Sequence, residues 1–195
     1  MRKLIIALFS LVSIAPVLRA DAQTSAGVYV EPSVLYSMSS REYDAAAGGA
    51  LAIGVCFDRK HDVGIEVIMF KAKSKNGISA GWPGYCEEVT MIPLLTSYRY
   101  AFSAGKKFRF FIGVETGVTF EKSDLTPRSQ PNDNYGNYSR KYSDRYLSAI
   151  YGGQFGAAYE LTEHTALTLG AKIFEIGGTS RGPFKTLQLG LRYSF

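Results

Sequence analysis

The sequence predicts an all-β fold, a closed up-and-down meander of about eight antiparallel strands, an even number as such single-chain barrels require. Three observations predict it. Side chains alternate with period two over unusually long segments. Short turns alternate with long polar links. The composition of 20 glycines, 13 tyrosines and 12 phenylalanines, with few helix-favouring runs, favours strands and turns over helices.

The chain opens with a different kind of segment. Arg2 and Lys3 precede an apolar run from Leu4 to Leu18, and Ala20-Asp21-Ala22 places small residues where a signal peptidase reads them. Ser10, Ser13 and Pro16 interrupt the run, which falls short of the roughly 20 residues of a membrane-spanning helix. The expectation is a cleaved signal peptide over residues 1–22 and one barrel domain over residues 23–195. The formal net charge of +5 falls to about +3 once Arg2, Lys3, Arg19 and Asp21 are removed, too mild a balance to imply nucleic acid. No later stretch reaches helical spanning length, which leaves strands as the only way to cross a bilayer.

The strands follow in order. Val28 to Tyr36 alternates weakly. Leu51, Ile53, Val55 and Phe57 interleave with Ala50, Ala52, Gly54 and Cys56; Val63, Ile65, Val67 and Met69 interleave with Gly64, Glu66, Ile68 and Phe70. Ile92 to Phe102 is weaker again. From Phe108 to Glu121 the sorting is cleanest, with Ile112, Val114 and Val118 set against Gly113, Glu115 and Gly117, and this segment is too long for an ordinary globular strand. Leu147 to Leu161 and Leu167 to Ile173 follow, and Leu187, Leu189, Leu191, Tyr193 and Phe195 close the chain. Tight turns are expected at 58–62, 103–107 and 162–165, and long links at 38–45, 71–87, 122–145 and 177–185. That asymmetry is the pattern of periplasmic turns and extracellular loops, which puts both termini on the periplasmic side.

Alternation alone does not tell a soluble barrel from one in lipid. Glycine placement does. Gly54, Gly64, Gly113, Gly117, Gly152, Gly156, Gly170 and Gly190 share the polar set with Glu66, Arg109, Glu115, Lys172 and Arg192. Small residues beside long charged ones suit a narrow interior filled by paired charges. Phe57, Tyr98, Tyr100, Phe102, Phe108, Phe110, Tyr159, Tyr193 and Phe195 fall on the apolar set beside the short turns, as an interfacial aromatic girdle would. The apolar set is therefore expected to face lipid, and the barrel to be transmembrane.

On these residues the chain resembles the small eight-stranded outer-membrane barrels, the group of OmpX and the transmembrane domain of OmpA. The resemblance covers residues 25–195. Its most specific piece is Leu189-Gly190-Leu191-Arg192-Tyr193-Ser194-Phe195, similar to the C-terminal signal that the barrel-assembly machinery reads, with Leu191, Tyr193 and Phe195 as its apolar positions. Ile92-Pro93-Leu94-Leu95 followed by Tyr98-Arg99-Tyr100 also looks like a strand common in such families. The resemblance implies a Gram-negative outer membrane and leaves the biochemical role open.

Candidate chemistry is sparse. Barrels that modify lipid A use a histidine near the outer leaflet, whereas His61 and His164 fall in turns expected on the periplasmic side. Glu66, Arg99, Arg109, Glu115, Lys172 and Arg192 are expected to form an internal salt-bridge network rather than a catalytic site, because unpaired buried charge is costly. An eight-stranded interior is just wide enough for side chains to fill, which opposes a static pore. Lys71, Lys73 and Lys75 continue a lipid-facing stripe past the membrane and are a candidate lipopolysaccharide contact against the alternative of a solvated basic hairpin. Cys56 and Cys86 are expected at opposite ends of the barrel as free thiols. No metal-ligand spacing, phosphate-binding glycine loop or cofactor motif is present in the sequence.

The loop from Lys122 to Arg145 carries Tyr135, Tyr138 and Tyr142 among small polar residues, a binding-surface composition. The resulting expectation is a structural or surface-interaction protein, with no catalysis and no cofactor. Its partners would be outer-membrane lipid and lipopolysaccharide, the assembly machinery during insertion, and a protein met by the extracellular loops. A narrow solute or ion channel and a lipid A-modifying enzyme are the alternatives.

Overall fold

A computed structural model describes residues 26–38, 43–74, 85–103, 105, 107–127, 142–177 and 183–195. The expected signal peptide, Lys75 and most of the tyrosine-bearing loop lie outside the described residues. Eight strands run in chain order: β1 (Ala26–Ser37), β2 (Ala46–Phe57), β3 (His61–Lys73), β4 (Tyr85–Ser103), β5 (Phe108–Pro127), β6 (Tyr142–Glu160), β7 (Thr165–Ile176) and β8 (Phe184–Ser194). Each pairs antiparallel with its neighbours, and β8 returns to β1, so the sheet closes with no free edge. At the seam Tyr29 faces Ser194 and Ser37 faces Thr186, while the backbone N–H of Phe195 donates to the Val28 carbonyl at 2.9 Å. Closure gives each strand a paired neighbour on both sides, the condition for a sheet in hydrocarbon.

The short connections carry local chemistry that fits them. Asp58 and Arg59 have φ of 53° and 56°, and the Lys60 N–H donates to the Phe57 carbonyl at 3.0 Å, the two-residue turn whose twist suits a hairpin. Between β6 and β7, Thr162 Oγ1 accepts from the Thr165 N–H at 3.0 Å, and the Leu161 N–H donates to the Thr165 carbonyl at 2.9 Å.

Strands β4, β5 and β6 span 19, 20 and 19 residues, well beyond the roughly 9 to 11 that cross a bilayer. They correct the expected loop limits: β3 runs to Lys73, β4 starts at Tyr85, β5 runs to Pro127 and β6 starts at Tyr142. Apolar alternation stops where lipid stops, but ladder hydrogen bonds between neighbouring strands continue into water.

The two faces separate as the glycines indicate. Val34, Ile112, Val114 and Leu169 point outward at 59–64% exposure, whereas Tyr29, Ile68 and Phe174 point inward at 0–1%. A continuous apolar exterior around a closed ring is a lipid-facing surface. Tyr100, Phe102, Phe108, Phe110, Tyr193 and Phe195 lie exposed on that exterior at the short-turn end. Phe102 packs on Phe110 and Phe108 on Tyr159, at centroid distances of 5.9 and 4.8 Å.

Candidate functional site

The lumen is filled in layers, read upward from the short turns. At the mouth Arg109 Nε lies 3.0 Å from Glu160 Oε1, both partly exposed. Above it stands the first buried cluster. Arg192 holds both oxygens of Asp62, with Nη2 to Oδ1 at 3.0 Å, and its guanidinium carbon lies 3.9 Å from the Tyr29 ring centroid. Arg99 donates to Glu31 Oε2 at 3.0 Å and to Tyr29 Oη at 3.1 Å, and Thr168 Oγ1 donates to Glu31 Oε1 at 2.9 Å. Two cations thus meet two carboxylates, the balance that burial demands.

Room for Tyr29 comes from glycine. A Cβ added at Gly54 or at Gly64 would stand 2.6 Å from Tyr29 Oη, closer than packed atoms approach. The ring occupies the volume those two positions leave, and the arginines then pack against it.

The second cluster lies one layer further in. Lys172 Nζ donates to Glu115 Oε1 at 2.6 Å and to Glu66. Gln188 Nε2 bridges Ser33 Oγ at 2.6 Å and Glu66 Oε1 at 2.9 Å. Here two carboxylates share one ammonium, and Glu115 Oε2 and Thr119 Oγ1 are buried without a hydrogen-bond partner among the described residues.

Beyond this layer the interior turns mainly apolar, with Thr119, Glu121 and Ser123 of β5 also buried there. Leu35, Ile68, Phe70, Met91, Leu95, Ile150, Phe174 and Phe184 form one buried cluster across the long-loop half, joined by Tyr43. Phe174 and Phe184 stack at 5.7 Å, and Phe70 and Tyr43 lie 6.0 and 6.4 Å from the Phe184 ring.

Of the six residues expected in one lumen network, Arg99 and Arg192 share the first cluster, Glu66, Glu115 and Lys172 form the second, and Arg109 stands apart at the mouth. Glu31, Asp62, Gln188 and Tyr29 complete the clusters and were not singled out by the sequence. Asp62 falls at a turn edge and Glu31 in weak alternation, although each shares the parity of its strand's inward residues. The expectation that glycines and charges fill the whole lumen is corrected by the apolar half.

Other candidates are placed as follows. Lys71 and Lys73 are exposed on β3 beyond the apolar belt, and Lys71 pairs with Glu88. That hydrogen bond, with the carboxylate charge beside it, raises the Lys71 pKa above its usual range. Leu191, Tyr193 and Phe195 point outward at the closing seam, Tyr193 and Phe195 edge to face at 5.0 Å. Cys56 and Cys86 are free thiols near opposite ends of β2 and β4. His61 Nδ1 meets Tyr98 Oη at 2.8 Å, and His164 Nδ1 donates to the Ser194 carbonyl at 3.0 Å. Neither imidazole is paired with a carboxylate among the described residues. Among them no group of three His, Cys, Asp or Glu stands ready to hold a metal.

A closed eight-stranded ring, apolar outside and packed inside, is the architecture of a small transmembrane β-barrel. The chain belongs to the outer membrane protein β-barrel domain family, whose model matches residues 5–195. Its fold is similar to that of Neisserial surface protein A (NspA), with 16% identity and a TM-score of 0.50, covering 87% of this chain and 97% of that one. It is also similar to Ail, the attachment invasion locus protein of Yersinia pestis, with 10% identity and a TM-score of 0.54 over 88% and 99% of the two chains. OprG from Pseudomonas aeruginosa shares 14% identity and a TM-score of 0.54 over 87% and 96%. At such identities the likeness concerns the fold. No curated protein matches the chain in sequence. Family and fold together support a bacterial outer-membrane location.

Proposed function

We propose that this protein is a sealed outer-membrane barrel with a structural and surface-interaction role, exerted through its long-loop end rather than through conduction or catalysis. The observation that carries the reading is the double filling of the lumen. Hydrogen-bonded ion pairs occupy the short-turn half and a stacked apolar cluster the other half. An ion crossing would first have to displace paired charges and then part a layer of packed aromatic and aliphatic side chains, two barriers in series.

In this reading residues 1–22 are a cleaved signal, the short turns and both termini face the periplasm, and Leu191, Tyr193 and Phe195 are read by the barrel-assembly machinery during insertion. Outer-membrane lipid and lipopolysaccharide surround the belt, and an extracellular protein is the partner of the long-loop end. Lipid A chemistry is disfavoured because His61 and His164 both stand at the short-turn end, across the barrel from the outer leaflet.

Protease shaving of intact cells tests the orientation: cleavage is expected at the long-loop end and not at residues 58–60. Planar bilayers containing the purified protein are expected to show no steady conductance. A reproducible open channel would replace this reading with a narrow-pore one, and altered lipid A in a deletion strain would replace it with an enzyme.

A further inference from the structure

Where β3 to β6 run past the apolar belt, their outward side chains form a row that crosses the strands. Lys71 is paired with Thr90, Thr90 with Lys122, and Lys122 with Arg145. Two residues nearer the short turns, the outward positions Ile92, Phe120 and Leu147 are in register and exposed, as lipid-facing residues are. The cations therefore begin where the apolar surface ends.

Three carboxylates, Asp44, Glu88 and Asp124, occupy the next outward row, Asp44 beside Lys73. Glu88 takes Lys71, and Asp124 takes Lys122 at 2.8 Å. The hydrogen bond from Lys122 holds the Asp124 carboxyl below its usual pKa, with Ser143 adding a second bond. Lys73 and Arg145 are exposed and have no carboxylate partner among the described residues. Four cations thus stand against three anions among the described residues of this wall, which keeps one positive charge in excess. On the opposite wall the corresponding outward positions are Glu175, Lys185 and Tyr36, which bring no net charge.

We propose that the row of Lys71, Lys122 and Arg145 docks the phosphates of a phosphorylated glycolipid in the outer leaflet. This rests on the outer-membrane reading and adds to it a ligand and a side of the barrel. Acyl chains lie against Ile92, Phe120 and Leu147 while the headgroup meets the cations, so one molecule satisfies both surfaces. Arg145, unpaired and planar, offers a two-pronged donor to a phosphate, which a lysine does not. Because barrel strands are tilted, a line of paired residues climbs by roughly 3 Å per strand. The cations consequently sit at several depths, matching a headgroup phosphorylated at more than one position. Lys71 of the expected β3 stripe thus becomes one end of a band that runs from β3 to β6.

The test uses the refolded protein in detergent micelles, with bisphosphorylated lipid A and its dephosphorylated form as probes, and native mass spectrometry as readout. Lys122→Gln with Arg145→Gln is expected to weaken binding of bisphosphorylated lipid A about thirtyfold, the effect of two surface cations on an anionic lipid. Lys60→Gln with Lys107→Gln, at the short turns, is expected to leave it unchanged. Heat-modifiable migration on gels reports folding, and if the double variant loses its folded band, Arg145→Gln alone carries the test. Binding by the row variant within about threefold of the parent, an equal loss in the control, or a parent indifferent to phosphorylation each overturns the proposal. A parent protein that does not insert into bilayers at all would instead overturn the outer-membrane reading itself.

Discussion

Arg192 lies over the face of Tyr29, its guanidinium carbon 3.9 Å from the ring centroid, while both its terminal nitrogens hold Asp62. The phenol is thus the floor of an ion pair, and the two residues have unequal roles. Arg192→Ala leaves Asp62 buried with Arg99 Nε, 3.8 Å away, as its remaining cation, and is expected to cost about 3 to 5 kcal/mol. Tyr29→Phe keeps the ring and loses only the Arg99 hydrogen bond, about 1 kcal/mol. Equilibrium urea unfolding in lipid vesicles separates the two, and equal losses would contradict the assigned roles.

In the second cluster the two charges of opposite sign are equally unequal. Lys172→Met leaves Glu66 and Glu115 facing each other without a cation and is expected to destabilise the barrel by about 3 to 5 kcal/mol. Glu115→Gln brings the cluster to one carboxylate per ammonium, and is expected to restore much of that loss when added to Lys172→Met. A double-mutant cycle checks this, and strict additivity would speak against a shared site.

Gly54 and Gly49 lie on the same strand with opposite prospects. Gly54→Ala drives a methyl against the Val63 carbonyl and Tyr29 Oη, 2.4 and 2.6 Å away, and is expected to cost about 1 to 3 kcal/mol. Gly49→Ala points outward, with its nearest neighbour 3.7 Å away, and is expected to be neutral or mildly stabilising. Comparison of the two urea midpoints reads out the prediction.

Arg59 sits at a φ of 56° in the β2–β3 turn, a conformation that costs a side chain roughly 1 kcal/mol and glycine little. Arg59→Gly gives the Asp-Gly pair that this turn favours and is expected to slow unfolding. An unfolding rate equal to or above the parent's in a denaturant jump would contradict it.

The strands and their facing were legible because lipid imposes one apolar face on each and the narrow interior imposes glycines on the other. Phe108 to Glu121 shows both at once. The ion pairs were legible only as a set of inward charges: Glu31 meets Arg99 68 positions away and Thr168 137 positions away, and no local spacing encodes either. The apolar half of the lumen was hidden for a different reason. Ile68 and Phe70 flank Met69, so that end of β3 is apolar on both faces and alternation loses its contrast there. The far ends of β4 to β6 read as loop in the sequence because their pairing outlasts their hydrophobic pattern.

The hydrogen bond from Phe195 to Val28 ties the last residue of the chain to its first strand. A meander could otherwise accumulate hairpin by hairpin, each step worth something alone. Here the reward for the final step falls on the two outermost strands together, since until they meet both present bare amide groups to an oily medium. Insertion is therefore governed by its completion, and shortening the chain by a single strand would forfeit the stability of all the others.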